Sequence, residues 1–314
     1  MNRKKKWQQK RKIANIKFSL IMILLIIIVL TPLSYFTLTG LNKTQQVKKE
    51  ITSVSKQKIK KTKESISKSQ AVKSTINSNN IDTSKWIPSQ EEAWVPTLMY
   101  HHITHEITDN NCLTPEDFEF QLDTLKKDGY TSVSPEEAYL IFTENKKPAK
   151  KVICLTFDDG FDDFYKNAYP LLKKYNMKAT SFVVTNFLNK INYLTDPQIL
   201  EMKKSGLISF QSHTASHQSM ESLNVKDQLE QLQTSKKHLD NSLKQETLAI
   251  CYPAGKFDEH TANLANQAGY KLGFTTQSGF AAKSDGLLTL SRVRINSNMT
   301  GEEVLNVLKT AENH

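Results

Sequence analysis

The sequence predicts one α/β domain folded as a distorted β/α barrel, and three observations carry that expectation. From Pro96 onward, short apolar runs alternate with amphipathic stretches, the pattern of strands feeding helices. Val152-Ile153-Cys154-Leu155-Thr156-Phe157 is an uncharged, β-prone run that stops at Asp158, Asp159 and Gly160. It reads as a buried strand delivering two carboxylates to its C-terminal end. A further apolar segment, Gly206 to Phe210, leads directly into Ser212-His213-Thr214-Ala215-Ser216-His217. Reactive side chains just beyond strand ends are the usual arrangement in α/β proteins.

The chain before the domain has a different composition. Residues 1–17 form a basic tail, and residues 18–40 are an uncharged apolar run long enough to cross a bilayer as one helix. The basic flank places the N-terminus in the cytoplasm and the remainder outside, at the cell membrane. A cleaved signal peptide shows the same order, but Thr31-Pro32-Leu33-Ser34-Tyr35-Phe36 is bulky and offers no small-x-small site, so a retained anchor is expected. Residues 41–90 are rich in Lys, Ser, Thr, Gln and Asn; they bury too little to offset their ordering entropy and read as a flexible basic stalk. The folded domain is then residues 91–314.

Charge distribution excludes a nucleic-acid role. The net charge is +10, yet residues 1–75 hold 18 Lys and Arg against 2 Asp and Glu; subtracting these from 42 and 32 leaves 24 against 30. The domain is mildly acidic and has no basic groove for phosphates. Its three cysteines, Cys112, Cys154 and Cys251, cannot all pair with one another, and two lie in strand-like contexts where a free thiol packs as a small hydrophobe.

Along the domain, Thr97 to His101 reads as a strand, and Pro115 to Lys127 and Pro135 to Phe142 as helices. The Val152 to Phe157 strand is followed by a helix from Asp162 to Tyr175 and a strand from Ala179 to Val184. Then come a helix from Pro197 to Lys204, a strand from Leu207 to Gln211 and a long helix from Val225 to Leu243. Leu248 to Tyr252 is a strand, His260 to Ala268 a helix, Lys271 to Thr275 a strand and Gly301 to Thr310 the last helix.

Two adjacent carboxylates at a strand end repel each other, so a cation there or a raised pKa on one of them is expected, unless Asp158 and Asp159 merely cap the following helix. The histidines favour the cation. On a helical turn His213 and His217 would share a face, and one carboxylate with two imidazoles makes a three-ligand set that leaves a position open for water. Such donors suit zinc, with cobalt, nickel, manganese and iron also compatible. A phosphatase of the haloacid-dehalogenase kind would need a second Asp where this chain has Gly160, and would leave the histidines unexplained. A non-catalytic surface-binding module would be marked by loss of a ligand or base.

Thr156 to Gly160 followed by Ser212 to His217 resembles the first two motifs of the polysaccharide deacetylases, the NodB-homology carbohydrate esterases. Cys251-Tyr252-Pro253-Ala254-Gly255 resembles their third motif. Leu98-Met99-Tyr100-His101-His102-Ile103 is similar to the opening of the branch that deacetylates poly-N-acetylglucosamine in biofilm matrices. The resemblance spans roughly Pro96 to Leu308. It implies a deacetylase barrel and hydrolysis of acetamides on an N-acetylated polysaccharide, poly-β-1,6-N-acetylglucosamine or peptidoglycan. By that resemblance Asp158 is the base, Asp159, His213 and His217 hold a divalent metal, and His101 is the general acid. The backbone N–H of Ala254, beside Tyr252 in the motif, would face the oxyanion. The family carries Tyr where this chain has Ala254 and Arg where it has Cys251, so Arg292 is the candidate for bracing the base. Phe161, Tyr165, Phe187 and Tyr193 are candidates for stacking on sugar rings.

Overall fold

Seven short, mostly apolar segments become the strands of one closed sheet: β1 (Thr97–Tyr100), β2 (Val152–Phe157), β3 (Ala179–Val183), β4 (Ile208–Ser212), β5 (Ala249–Cys251), β6 (Leu272–Ser278) and β7 (Leu290–Arg294). Each pairs in parallel with its neighbour in chain order, and β1 bonds to both β2 and β7, which closes the ring. The computed structural model describes residues 81–312. The expected tail (1–17), anchor (18–40) and most of the stalk (41–80) lie outside the described residues. Among the described residues, no helix is long and apolar enough to cross a membrane.

Helices cover the barrel: α1 (Pro115–Lys127), α2 (Pro135–Glu144), α3 (Tyr169–Tyr175), α4 (Asp196–Lys204), α5 (Val225–Leu243), α6 (Thr261–Ala268) and α7 (Gly301–Glu312). Local chemistry fixes their starts. Thr114 accepts from the Asp117 N–H ahead of Pro115, Ser134 and Glu137 form a capping box, and Asn224 accepts from the Asp227 N–H. The barrel is distorted because β6 reaches β7 through a short strand and a single 3-10 turn, Lys283–Asp285, with no α-helix, and their register shifts between Phe274 and Ser278.

Under the C-terminal end of β2, the Phe157 ring packs against Tyr100, Phe118 and Phe164 at centroid distances of 4.9, 5.6 and 4.7 Å. Burying one such ring contributes about 1.5–3 kcal/mol, so the floor beneath Asp158 is rigid.

Four expectations are corrected. The helix expected from Asp162 to Tyr175 begins as a π-helical turn, Phe164–Ala168, and becomes α-helical only at Tyr169. The Tyr169 N–H reaches back to the Phe164 carbonyl, and the next residue, Pro170, has no N–H to give. Leu290–Arg294 was not expected to be a strand, yet it closes the barrel. His213 and His217 lie on a turn after β4 rather than on a helix. Residues 81–90, assigned to the stalk, join the domain: Ile87–Pro88 pairs antiparallel with Lys146–Lys147, and Trp86 packs on a core cluster.

Candidate active site

The end of β2 turns abruptly. Asp159 and Gly160 adopt left-handed backbone, with φ of 75° and 80°. A Cβ at Gly160 would lie 3.0 Å from a Val183 methyl, so only glycine lets β3 approach this closely. Across the mouth, the turn carrying the histidines is held by the Ser216 N–H and hydroxyl on Gln231 of α5, at 2.9 and 3.0 Å, and by the His217 N–H on the Thr214 hydroxyl. Thr214 and His217 are also left-handed, at 67° and 59°. Non-glycine residues in this region carry strain and concentrate at functional sites.

Asp158 is buried and faces an equally buried Arg292 from β7. The pair is bidentate: Nη1 donates to Oδ1 and Nη2 to Oδ2, each at 2.8 Å. Arg292 also donates from Nε to the Thr275 carbonyl and from Nη1 to the Thr156 hydroxyl, which fixes the plane of the guanidinium. Burial alone would raise the Asp158 pKa; the charge and hydrogen bonds of Arg292 prevail and hold it down to about 2. The carboxylate is therefore ionised at neutral pH.

Asp159, His213 and His217 come together as expected. His213 Nε2 and His217 Nε2 lie 3.3 and 3.0 Å from Asp159 Oδ1. Asp159 Oδ1 is buried without a hydrogen bond of good geometry, although both imidazole nitrogens lie close to it. All three ligand atoms fall within 4.8 Å of one another. His213 Nδ1 is engaged by the Cys251 carbonyl at 2.8 Å, which turns Nε2 inward, as a metal-ligating imidazole requires. The residues present therefore fit a divalent cation.

His101, just past β1, sets Nε2 4.0 Å from Asp158 Oδ2, and its Nδ1 is buried without a partner. Burial lowers its pKa against the pull of Asp158 and Asp159. Ala254 is exposed and left-handed at φ 52°. The next two N–H groups, of Gly255 and Lys256, turn back to the carbonyls of Tyr252 and Pro253. The Ala254 N–H is left without a backbone partner among the described residues. Gly255 permits this turn: a Cβ there would lie 2.0 Å from the Thr276 hydroxyl.

Tyr252 requires correction as a substrate-facing residue. Its ring is buried in a core cluster and its hydroxyl donates to the Leu288 carbonyl at 3.0 Å, because Tyr252 begins the turn with its side chain directed into the barrel wall. The partners of two residues are not legible in the sequence. Cys251 places Sγ 3.0 Å from Arg292 Nη2 and 3.5 Å from Asp158 Oδ2, inside the base's own network. His102 points away from His101 and bonds Asp163 at 2.5 Å. Alternation along the strand signals that divergence but not the partner.

Fold and mouth together define the class: a β/α-barrel hydrolase whose reactive groups all come from the C-terminal ends of parallel strands. The family model described as Polysaccharide deacetylase matches residues 145–273. YxkH of Bacillus subtilis (strain 168), which carries a provisional polysaccharide deacetylase designation, is 40% identical over 221 residues, covering 70% of this chain and 78% of that one. The structure of the Streptococcus pyogenes deacetylase PplD in complex with acetate superposes with a TM-score of 0.67 at 42% identity, over 69% of this chain and 98% of that one. The poly-β-1,6-N-acetyl-D-glucosamine N-deacetylase of Staphylococcus aureus (strain MRSA252) is 29% identical over 182 residues, 54% of this chain and 62% of its own length. The chain belongs to the polysaccharide deacetylase family, enzymes that hydrolyse N-acetyl groups.

Proposed function

We propose that this protein is a metal-dependent N-deacetylase of N-acetylglucosamine units in an extracellular polysaccharide, with poly-β-1,6-N-acetylglucosamine as the polymer. The observation that carries the chemistry is the buried Asp158–Arg292 pair set beside the Asp159, His213 and His217 cluster. The polymer is supported by the likeness to the staphylococcal enzyme, and acetate as product by the streptococcal relative that binds it. The location is supported by the basic tail and apolar run, which read as a single-pass membrane anchor with the domain outside.

A divalent ion held by Asp159, His213 and His217 would polarise the acetamide carbonyl and acidify the attacking water. Asp158 takes the proton that water gives up, and Arg292 keeps this carboxylate ionised and oriented. The Ala254 N–H donates to the carbonyl oxygen as negative charge develops there. His101 gives a proton to the amide nitrogen as the C–N bond breaks, so acetate and a free sugar amine leave.

The test is acetate release by the purified protein from β-1,6-linked N-acetylglucosamine oligomers and from peptidoglycan. Release is expected on the oligomers, and Asp158→Asn is expected to lower kcat by roughly 10²–10⁴, the usual range for a general base. Faster release from peptidoglycan would reassign the polymer, and no release from either with metal bound would leave a binding module. For His101→Ala, kcat/KM is expected to fall by a similar ~10²–10⁴. The alkaline limb of the pH profile should disappear with it, since that limb reports loss of the acid's proton.

A further inference from the structure

We propose that His102 and Asp163, with the His102 ring held by its stack on Phe161, form a recognition subsite for the sugar next to the one being deacetylated, with His102 Nε2 binding a hydroxyl. The proposal rests on the reading above that the substrate is a polymer of N-acetylglucosamine.

His101 and His102 face opposite ways as the chain leaves β1: His101 toward Asp158, His102 toward Asp163. One residue thus serves the reacting sugar while the next reaches beyond it. The His102 ring stacks on Phe161 with centroids 3.7 Å apart and planes 23° from parallel. Phe161 stacks in turn on Tyr193 at 5.3 Å, and Tyr193 leans on Phe187 at 5.0 Å. This four-ring ladder starts two residues after Asp159. It is pinned by hydrogen bonds from the Leu194 N–H to the Gly160 carbonyl and from the Asp162 N–H to the Asn192 carbonyl, at 2.9 and 3.0 Å. The sequence suggested Phe161, Phe187 and Tyr193 as sugar platforms; instead they stack on one another and hold His102 in place.

His102 is the end of the ladder that lines a cleft of about 460 Å³, shared with Thr104, Asp162, Asp163, Asn167 and Asn192. Its Nδ1 is taken by Asp163, which leaves Nε2 as the ring's remaining hydrogen-bonding atom. Asn167 donates its amide to the Ile103 carbonyl and keeps its own oxygen as an acceptor. Asp163 Oδ2 bonds His102 and Asp162 pairs with Lys166, while the buried Asp163 Oδ1 has no hydrogen-bond partner, so the cleft offers open acceptors on side chains already held in place. Exposed Glu106 is the lining carboxylate without an ion pair among the described residues. Open hydrogen-bonding atoms on pre-placed side chains favour a neutral polyhydroxylated ring over an ion. Because the ladder fixes His102 in advance, binding there costs little ordering entropy.

The test uses the full-length protein and His102→Phe, which keeps a ring on Phe161 and removes both nitrogens. By calorimetry, affinity for an N-acetylglucosamine hexamer is expected to fall about tenfold, the equivalent of one hydrogen bond. KM on the same oligomer should rise in step, and the ratio of KM between variant and wild type should shrink toward one as the oligomer is shortened to a single sugar. A structural role alone would lower the melting temperature without this length dependence. Equal hexamer affinity and equal KM at every length in a folded variant would overturn the subsite, as would a wild type that binds no hexamer. Acetate release by neither protein would count against the deacetylase reading, while calorimetry would still decide the subsite.

Discussion

Chelation of divalent ions is expected to stop acetate release completely, and re-addition of zinc or another of the compatible metals to restore it. Asp159→Ala should be inactive whatever metal is supplied, because it removes the oxygen on which both imidazoles converge. The reason is geometric: Asp159 Oδ1 is buried and has no hydrogen-bond partner, an arrangement that a cation stabilises and an empty site does not. A thermal readout separates this from simple unfolding. An ion that binds only the native state adds about 2.7 kcal/mol at a hundred times its Kd, so wild type should melt lower in chelator and Asp159→Ala should not respond. Full activity after exhaustive chelation would sink the metal assignment.

Arg292→Met is expected to give the largest loss of stability of any single substitution at the mouth, roughly 3–5 kcal/mol, because it leaves Asp158 as a buried carboxylate without its partner. For a domain of this size that corresponds to roughly 2–4 °C of melting temperature per kcal/mol. With the guanidinium gone, burial dominates and the Asp158 pKa rises, so the base becomes protonated and the acid limb of the rate profile moves to higher pH. Pairing Arg292→Met with Asp158→Asn should recover part of the stability without recovering activity, since the buried charge is then absent. The wild type makes the sign explicit. Its folded pKa of about 2 lies below the ordinary 3.8, so the pair's contribution is complete above about pH 5 and is lost as pH falls toward 2. For a shift of this size that contribution is roughly 2 kcal/mol. Denaturant titrations across that range would measure it; an Arg292→Met variant as stable as wild type at pH 7 would remove Arg292 from the role.

What the sequence determined by itself was local. The uncharged run from Val152 to Phe157 specified a buried strand, and Asp158, Asp159 and Gly160 specified where it stops. Alternating apolar runs and capped amphipathic stretches located six of the seven barrel strands, because periodicity and capping depend on neighbours within a turn or a pleat. His213 and His217 were found by spacing, although the spacing was read as a helix. The left-handed Thr214 and His217 instead make a turn that Gln231 of α5 stabilises by accepting from Ser216, a bond made across 15 residues and beyond the reach of local spacing. Tertiary structure alone decided the rest. Leu290–Arg294 carries an arginine where a core strand is expected to be apolar, and only closure of the ring against β1 and β6 makes its burial favourable by delivering Asp158 as its partner. The same closure drew Cys251 into the base's network and turned Tyr252 into the core, and the fold after β2 set Phe161 beneath His102. Local pattern fixes which segments bury themselves; the partner of a buried charge, or of a ring at the mouth, is set by which strand ends the barrel brings side by side.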